Sequence, residues 1–160
     1  MRWAGRVRQL NVSIPLQAPA SFTLAFLRTY FQAQARGVAA AKIRLRLPTH
    51  AVTGGIAVEK TVEAEVSYVL GHGAPDALQI SWVPEASGAF PRFQGTFTAS
   101  PETEETCRLS LSGRYAVPGG VPGDMFDVVV GRRIARSSIG DFVERLGTAA
   151  EADYRTRCSL

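Results

Sequence analysis

The chain has 160 residues, of which 46% are hydrophobic and 20% charged, a composition typical of one folded domain and not of a disordered protein. The net charge of +4 and the pI of about 9.5 raise the question of a nucleic-acid partner, but the basic residues are scattered rather than gathered in one stripe, which argues against it. No apolar stretch approaches the roughly 20 residues of a membrane span, and the start lacks the apolar run of a secretory signal, so we expect a cytoplasmic protein.

The first elements are predicted to be a strand and a short helix. Residues 6–16 alternate between apolar and polar side chains, which indicates a strand with one buried face. Pro15 and Pro19 favour the end of that strand. Ser21 is then expected to cap a helix over residues 22–37, whose aromatic face carries Phe22, Phe26, Tyr30 and Phe31.

The same alternation returns in the middle of the chain and predicts further strands, at residues 42–47, 58–70, 78–83, 93–101 and 109–117. Turn-forming segments separate them, among them residues 53–55, 71–76 and the acidic residues 102–105. Strands joined by short turns favour hairpins, so we expect an antiparallel sheet.

One long helix is predicted at the C-terminus, over residues 126–154. Its start is signalled by Asp124, with Asp127 three residues further on. Apolar residues then recur every three or four positions and form a stripe of roughly 30 Å, which requires a concave sheet to cover it. Gly95 and Gly113 share the apolar phase of neighbouring strands, and we expect the helix to lie against them at residues 134–142.

This order of elements resembles the helix-grip fold of the Bet v1, START and polyketide-cyclase-like (SRPBCC) superfamily, and looks like that of a bacterial branch of it. The segments that carry the resemblance are Phe-Pro-Arg-Phe-Gln-Gly at 90–95, Leu-Ser-Leu-Ser-Gly-Arg-Tyr at 109–115 and Gly-Arg-Arg-Ile-Ala at 131–135. It covers nearly the whole chain. The expected fold is therefore a single α+β domain over residues 1–160, with a bent antiparallel sheet wrapped around the C-terminal helix.

The resemblance implies a cavity between the sheet and the last helix. Its expected ligand-binding residues are Tyr68, Trp82, Phe97, Leu111, Tyr115, Ile134, Ser138 and Phe142. The same side chains would equally suit a solidly packed core. We predict a binder or carrier of a small apolar or aromatic molecule, with no catalytic residue, no cofactor and no metal site.

Two alternatives stay open at this point. A cyclase, dehydratase or hydrolase would use Tyr115, His72 or Asp127 as acid or base in the same cavity. An interaction domain would use the outer sheet face, or the basic patch of Arg132, Arg133 and Arg136, to bind a protein or nucleic acid. Cys107 and Cys158 show no disulfide or metal spacing and are expected to be free thiols. The oligomeric state stays open.

Overall fold

The computed structural model describes residues 7–34, 40–47, 58–71, 75–83, 92–116 and 126–160. Its elements in chain order are β1 Val7–Leu16, α1 Ala20–Ala33, β2 Ala40–Leu47, β3 Val58–Val69, β4 Ala77–Trp82, β5 Arg92–Pro101, β6 Cys107–Ala116 and α2 Phe126–Cys158. The predicted strands and the long terminal helix are confirmed, with small shifts at their ends. The predicted turn at residues 53–55 and the capping residue Asp124 lie outside the described residues.

The strands form one six-stranded sheet in the order β1-β6-β5-β4-β3-β2, and every neighbouring pair is antiparallel. The edge strands are β1 and β2, and both contact α2. One helix can touch both edges of a sheet only if the sheet curves around it. The predicted α+β architecture, a bent sheet around one long helix, is therefore confirmed.

Helix α1 lies across the concave side of the sheet, where it contacts β4, β5, β6 and α2. Its buried residues are Thr23, Leu24, Leu27 and Phe31, which share one face at helical spacing. The concave side is thus covered by two helices, and the hydrophobic core lies between them and the strands.

The predicted start of α1 is wrong. The helix begins at Ala20 with Pro19 as the N-cap residue, which is extended at φ −61° and ψ 150° and makes no side-chain capping bond. The Thr23 amide donates to the Pro19 carbonyl at 2.9 Å, and the Thr23 hydroxyl donates to the same oxygen at 3.0 Å. Both bonds to the Pro19 carbonyl belong to the first turn of the helix, so the chain is already helical when it reaches Ser21. The helix ends at Ala33, and residues 35–39 lie outside the described ranges.

The explanation predicted for the paired glycines is also wrong. Gly95 and Gly113 face each other across β5 and β6. A β-carbon on Gly95 would lie 2.5 Å from the Phe93 ring, and one on Gly113 would lie 2.8 Å from the same ring, with backbone of the neighbouring strand close by. The nearest neighbours are therefore Phe93 and the sheet itself rather than α2. The period-2 pattern did not show that a ring two residues away folds back over both glycines.

The close approach of α2 to the sheet occurs at a different glycine. A β-carbon on Gly147 would lie 2.5 Å from the Ile14 side chain and 2.8 Å from that of Leu16. The Gln17 amide also donates to Glu151 at 2.7 Å, which ties the end of β1 to the helix. No helix in the described ranges is long and apolar enough to span a membrane.

Candidate functional site

The concave side of the sheet carries a cluster of aromatic rings, here called the inner aromatic layer. Its members are Trp82, Phe93 and Phe97 from the sheet, Phe31 from α1 and Phe142 from α2. Trp82 stacks on Phe93 with ring centroids 4.6 Å apart, and Phe142 meets Trp82 edge-on at 6.0 Å. Both helices and three strand residues thus meet in one cluster.

The rings on the helix side close this layer. Phe97 lies 6.4 Å from Phe31 and 6.3 Å from Phe142, and Phe31 lies 6.4 Å from Phe142. Each such pair contributes about 0.5–1.5 kcal/mol beyond the burial of its surface. The layer therefore contributes to the stability of the core.

Most of the predicted ligand-binding residues lie together at this layer. Six of them are buried, namely Trp82, Phe97, Leu111, Tyr115, Ser138 and Phe142. Tyr68 is half-buried at its margin, and the side chain of Ile134 lies outside the described part of the structure. The strand phases read from the sequence thus bring residues from β4, β5, β6 and α2 to one surface.

Tyr115 has an unusual environment for its hydroxyl. The residue is only 2% exposed, and it lies opposite Phe93 on β5. No hydrogen bond to its hydroxyl is found among the described residues. Within those residues, however, no fully enclosed side-chain nitrogen or oxygen lacks a partner. The Tyr115 hydroxyl therefore keeps some exposure to solvent, although the residue as a whole is almost fully buried.

Ser138 provides the second hydroxyl. It is fully buried on α2, one helical turn before Phe142, and donates to the Ala135 carbonyl at 3.4 Å. That distance is at the long end of the range for a hydrogen bond, so the bond is weak. Two buried hydroxyls with little or no hydrogen bonding to the described residues thus belong to the predicted site.

Tyr68 differs from these two, because its hydroxyl is fully engaged. It donates to Asp76 Oδ2 at 2.8 Å, while Asp76 Oδ1 accepts from the Gly71 amide at 3.1 Å. The Arg28 guanidinium of α1 lies 5.0 Å from the Tyr68 ring centroid, which is a cation–π distance. The bond to Asp76 raises the pKa of Tyr68, and the Gly71 amide, followed by the Tyr68 hydroxyl, lowers the pKa of Asp76.

The groups named as acid or base candidates are distributed unevenly. Tyr115 faces the interior, whereas His72 and the side chain of Asp127 lie outside the described part of the chain.

The free thiols are confirmed. Cys107 is buried against the Thr23 hydroxyl at 3.4 Å, and burial raises the pKa of its thiol. It is therefore a protonated core residue.

The basic patch lies elsewhere. Arg132, Arg133 and Arg136 are exposed on α2. They are thus accessible for the interaction alternative, but they do not line the concave interior described above.

Three residues that shape the site were missed by sequence reasoning. Phe31 and Phe93 belong to the inner aromatic layer, and Asp76 holds the Tyr68 hydroxyl. The phase of Phe93 was visible, since it lies two positions before Gly95 and four before Phe97. No sequence signal pairs Tyr68 with Asp76, because that contact depends on the path of the turn between β3 and β4.

Comparison with solved structures identifies the architecture. The fold is similar to that of solved structures that include an aromatase/cyclase and a norcoclaurine synthase, in agreement with the predicted helix-grip architecture. A scan of protein-family models finds no match, and neither does a search of curated proteins.

Three of the similar structures illustrate the range of proteins with this fold. The ZhuI aromatase/cyclase from Streptomyces sp. R1128 is 16% identical, with 96% of each chain covered and a TM-score of 0.52. TTHA0849 from Thermus thermophilus is 18% identical, covers 91% of this chain and 99% of its own, and has a TM-score of 0.54. Norcoclaurine synthase from Thalictrum flavum is 11% identical, with 93% and 97% covered and a TM-score of 0.51. At these identities the likeness concerns the fold alone.

Proposed function

We propose that this protein binds a small apolar or aromatic molecule between the concave face of its sheet and α2, and carries it without chemical change. The observation that supports this most directly is the hydroxyl of Tyr115. It belongs to a residue that is only 2% exposed, it has no hydrogen-bond partner among the described residues, and it still reaches accessible space. A buried hydroxyl in that position is favourable when a ligand or water completes its hydrogen bonding.

The ligand's rings would pack on the inner aromatic layer, and the hydroxyls would select among ligands. Burial of apolar surface contributes about 25 cal/mol per Å², so the rings provide most of the affinity. In this proposal Tyr115 and Ser138 orient the ligand, and the wall is formed by Trp82, Phe97, Leu111, Ile134 and Phe142, with the ring of Tyr68 at the margin.

The test uses two probes that differ by one hydroxyl, naphthalene and 2-naphthol, measured by displacement of a fluorescent anilinonaphthalene dye. The wild-type protein is expected to bind both, with 2-naphthol favoured about fivefold by one additional hydrogen bond. Tyr115→Phe is expected to abolish that preference while leaving naphthalene binding unchanged. Thr96→Val, on the outer face of the sheet, serves as the matched control and is expected to change neither affinity.

The outcomes separate the alternatives. If neither probe displaces the dye, the proposed binding function is wrong. If 2-naphthol keeps its advantage in Tyr115→Phe, the orienting role of Tyr115 is wrong although the binding function stands. Chromatography of the recovered probe is expected to show it unchanged, and conversion would favour the cyclase or hydrolase alternative.

A further inference from the structure

A groove lies on the convex, outer face of the sheet and is here called the outer groove. Strands β3, β4, β5 and β6 each contribute two outward side chains to it, and its volume is about 490 Å³. Neighbouring residues of a strand point to opposite faces, so Gln94 and Thr96 face the groove while Phe93 and Phe97 face the helices. The outer groove is therefore separate from the site proposed above.

The floor of the outer groove is formed at the level of the paired glycines. Gly95 and Gly113 both line it, and neither places a side chain on the inner face, where the Phe93 ring takes that space. Glycine pairs of this kind permit a local bend of the sheet. The paired glycines and the groove thus lie at the same level of the sheet.

Most of the side chains in the outer groove are uncharged and can both donate and accept hydrogen bonds. These are Ser67, Gln79, Ser81, Gln94, Thr96 and Ser112. Among the described residues, the bond seen within this set is the one that Gln94 accepts from Arg114 at 3.4 Å. Further along the same face, Ser13 and Ser110 are paired with each other at 2.6 Å. The groove thus offers several hydroxyl and amide groups close together.

The two charged residues of the outer groove lie at its opposite ends. Glu65 pairs with Ser81, Ser81 with Gln94, and Gln94 with Arg114. Three strand spacings separate Glu65 from Arg114, a distance of about 14 Å. One negative and one positive charge leave the groove neutral although the chain carries +4. A phosphate or a nucleic acid would gain little from such a surface.

We propose that the outer groove binds an uncharged polyhydroxylated molecule, such as a short oligosaccharide. The volume of 490 Å³ lies within the range of small-molecule sites, about 300–1,000 Å³. Hydroxyl and amide side chains satisfy vicinal hydroxyl groups as both donors and acceptors, and Glu65 adds an acceptor at one end. Since no aromatic ring lines the groove, the dissociation constant is expected to be on the order of 1 mM.

The experiment uses two disaccharides, cellobiose and maltose, titrated separately into 15N-labelled full-length protein and followed by two-dimensional NMR. At least one is expected to shift the Gly95 and Gly113 amides and the side-chain amides of Gln79 and Gln94. Gln79→Ala is expected to weaken that binding about fivefold, the loss of one or two hydrogen bonds. Ser110→Ala lies on the same face outside the groove and is expected to leave the affinity unchanged. Binding is also expected to be insensitive to salt.

Four results would overturn the proposal. They are the absence of groove shifts with both disaccharides, shifts confined to residues that face the helices, equal affinity in Gln79→Ala and the wild type, and binding that disappears with added salt. The last result would indicate a charged ligand recognised by Glu65 and Arg114. None of these results bears on the naphthalene experiment, which probes the opposite face of the sheet.

Discussion

The two faces of strands β3 to β6 share one backbone and differ in almost every physical property. On the concave face, side chains such as Phe97 and Ile80 are buried, and Phe97 packs against rings from both helices. On the convex face, alternate residues such as Gln79 and Thr96 are polar and border the outer groove. The difference shows that burial, and not strand geometry, decides which residues hold the fold and which are available for polar recognition.

The comparison also separates stability from binding. Each inner ring contributes to both the core and the proposed ligand site, so a change there affects both. The outward polar side chains of the outer groove contribute little to the core, so their substitution should affect binding alone. The substitutions below test this separation, from the largest expected effect to the smallest.

Truncating the inner aromatic layer is expected to have the largest effect. Phe97 is fully buried between Phe31 and Phe142, so Phe97→Ala should lower the free energy of unfolding by about 3–5 kcal/mol. Thr96→Ala, on the other face of the same strand, should change it by less than about 0.5 kcal/mol. Urea denaturation of both variants measures the two values. Similar losses for both would contradict the separation of the faces.

Adding a methyl group at the paired glycines is expected to have the next largest effect. In Gly95→Ala the new β-carbon would lie 2.5 Å from the Phe93 ring and 2.8 Å from the Ser112 carbonyl oxygen. Relief of that overlap should cost about 1–3 kcal/mol. In a thermodynamic cycle, Gly95→Ala should cost less stability in the Phe93→Leu background than in the wild type, because the smaller side chain leaves room for the new methyl group. Purely additive effects would rule out Phe93 as the neighbour that matters.

Gly140 provides the opposite case among the described glycines. It lies within α2, and a β-carbon there would meet nothing within 4 Å. Gly140→Ala should therefore raise the free energy of unfolding by about 0.5–1 kcal/mol, through helix propensity and the reduced entropy of the unfolded chain. Thermal unfolding measures the stability of Gly140→Ala and of Gly95→Ala. A loss of stability in Gly140→Ala would mean that other atoms pack against α2 at this position.

The hydrogen bond between Tyr68 and Asp76 should make the stability of the fold depend on pH. The pKa of Asp76 is lowered from its ordinary value of 3.8, so its carboxylate stabilises the fold fully above that value and loses this contribution as the pH falls through the lower folded-state pKa. In Asp76→Asn, the part of the stability loss at low pH that comes from Asp76 should disappear. The pKa of the Tyr68 phenol should also fall towards 10.0, because the acceptor charge is gone. Denaturation measured as a function of pH tests the first expectation, and an NMR titration of Tyr68 tests the second. If Asp76→Asn loses as much stability at low pH as the wild type, Asp76 does not make this contribution.

Strand phases and helix spacing were readable from the sequence because each depends on local periodicity. The alternation in β3 and β6 placed Ala64 and Leu111 on the buried face, as the structure has them. The spacing of Ser138, Phe142 and Leu146 likewise gave the buried stripe of α2. The predicted helix cap was wrong because several neighbouring residues can begin a helix, and the structure begins α1 at Ala20, after Pro19, rather than after Ser21.

The sequence by itself determined that a long amphipathic helix must be covered by a bent antiparallel sheet, because a stripe of that length cannot remain in water. Only the tertiary structure decided which atoms fill the bend at Gly95 and Gly113, which partner holds the Tyr68 hydroxyl, and that a polar groove lies on the outside. These depend on contacts between residues brought together by the curvature of the sheet. Periodicity specifies the face on which a residue lies, and the curvature specifies its neighbours.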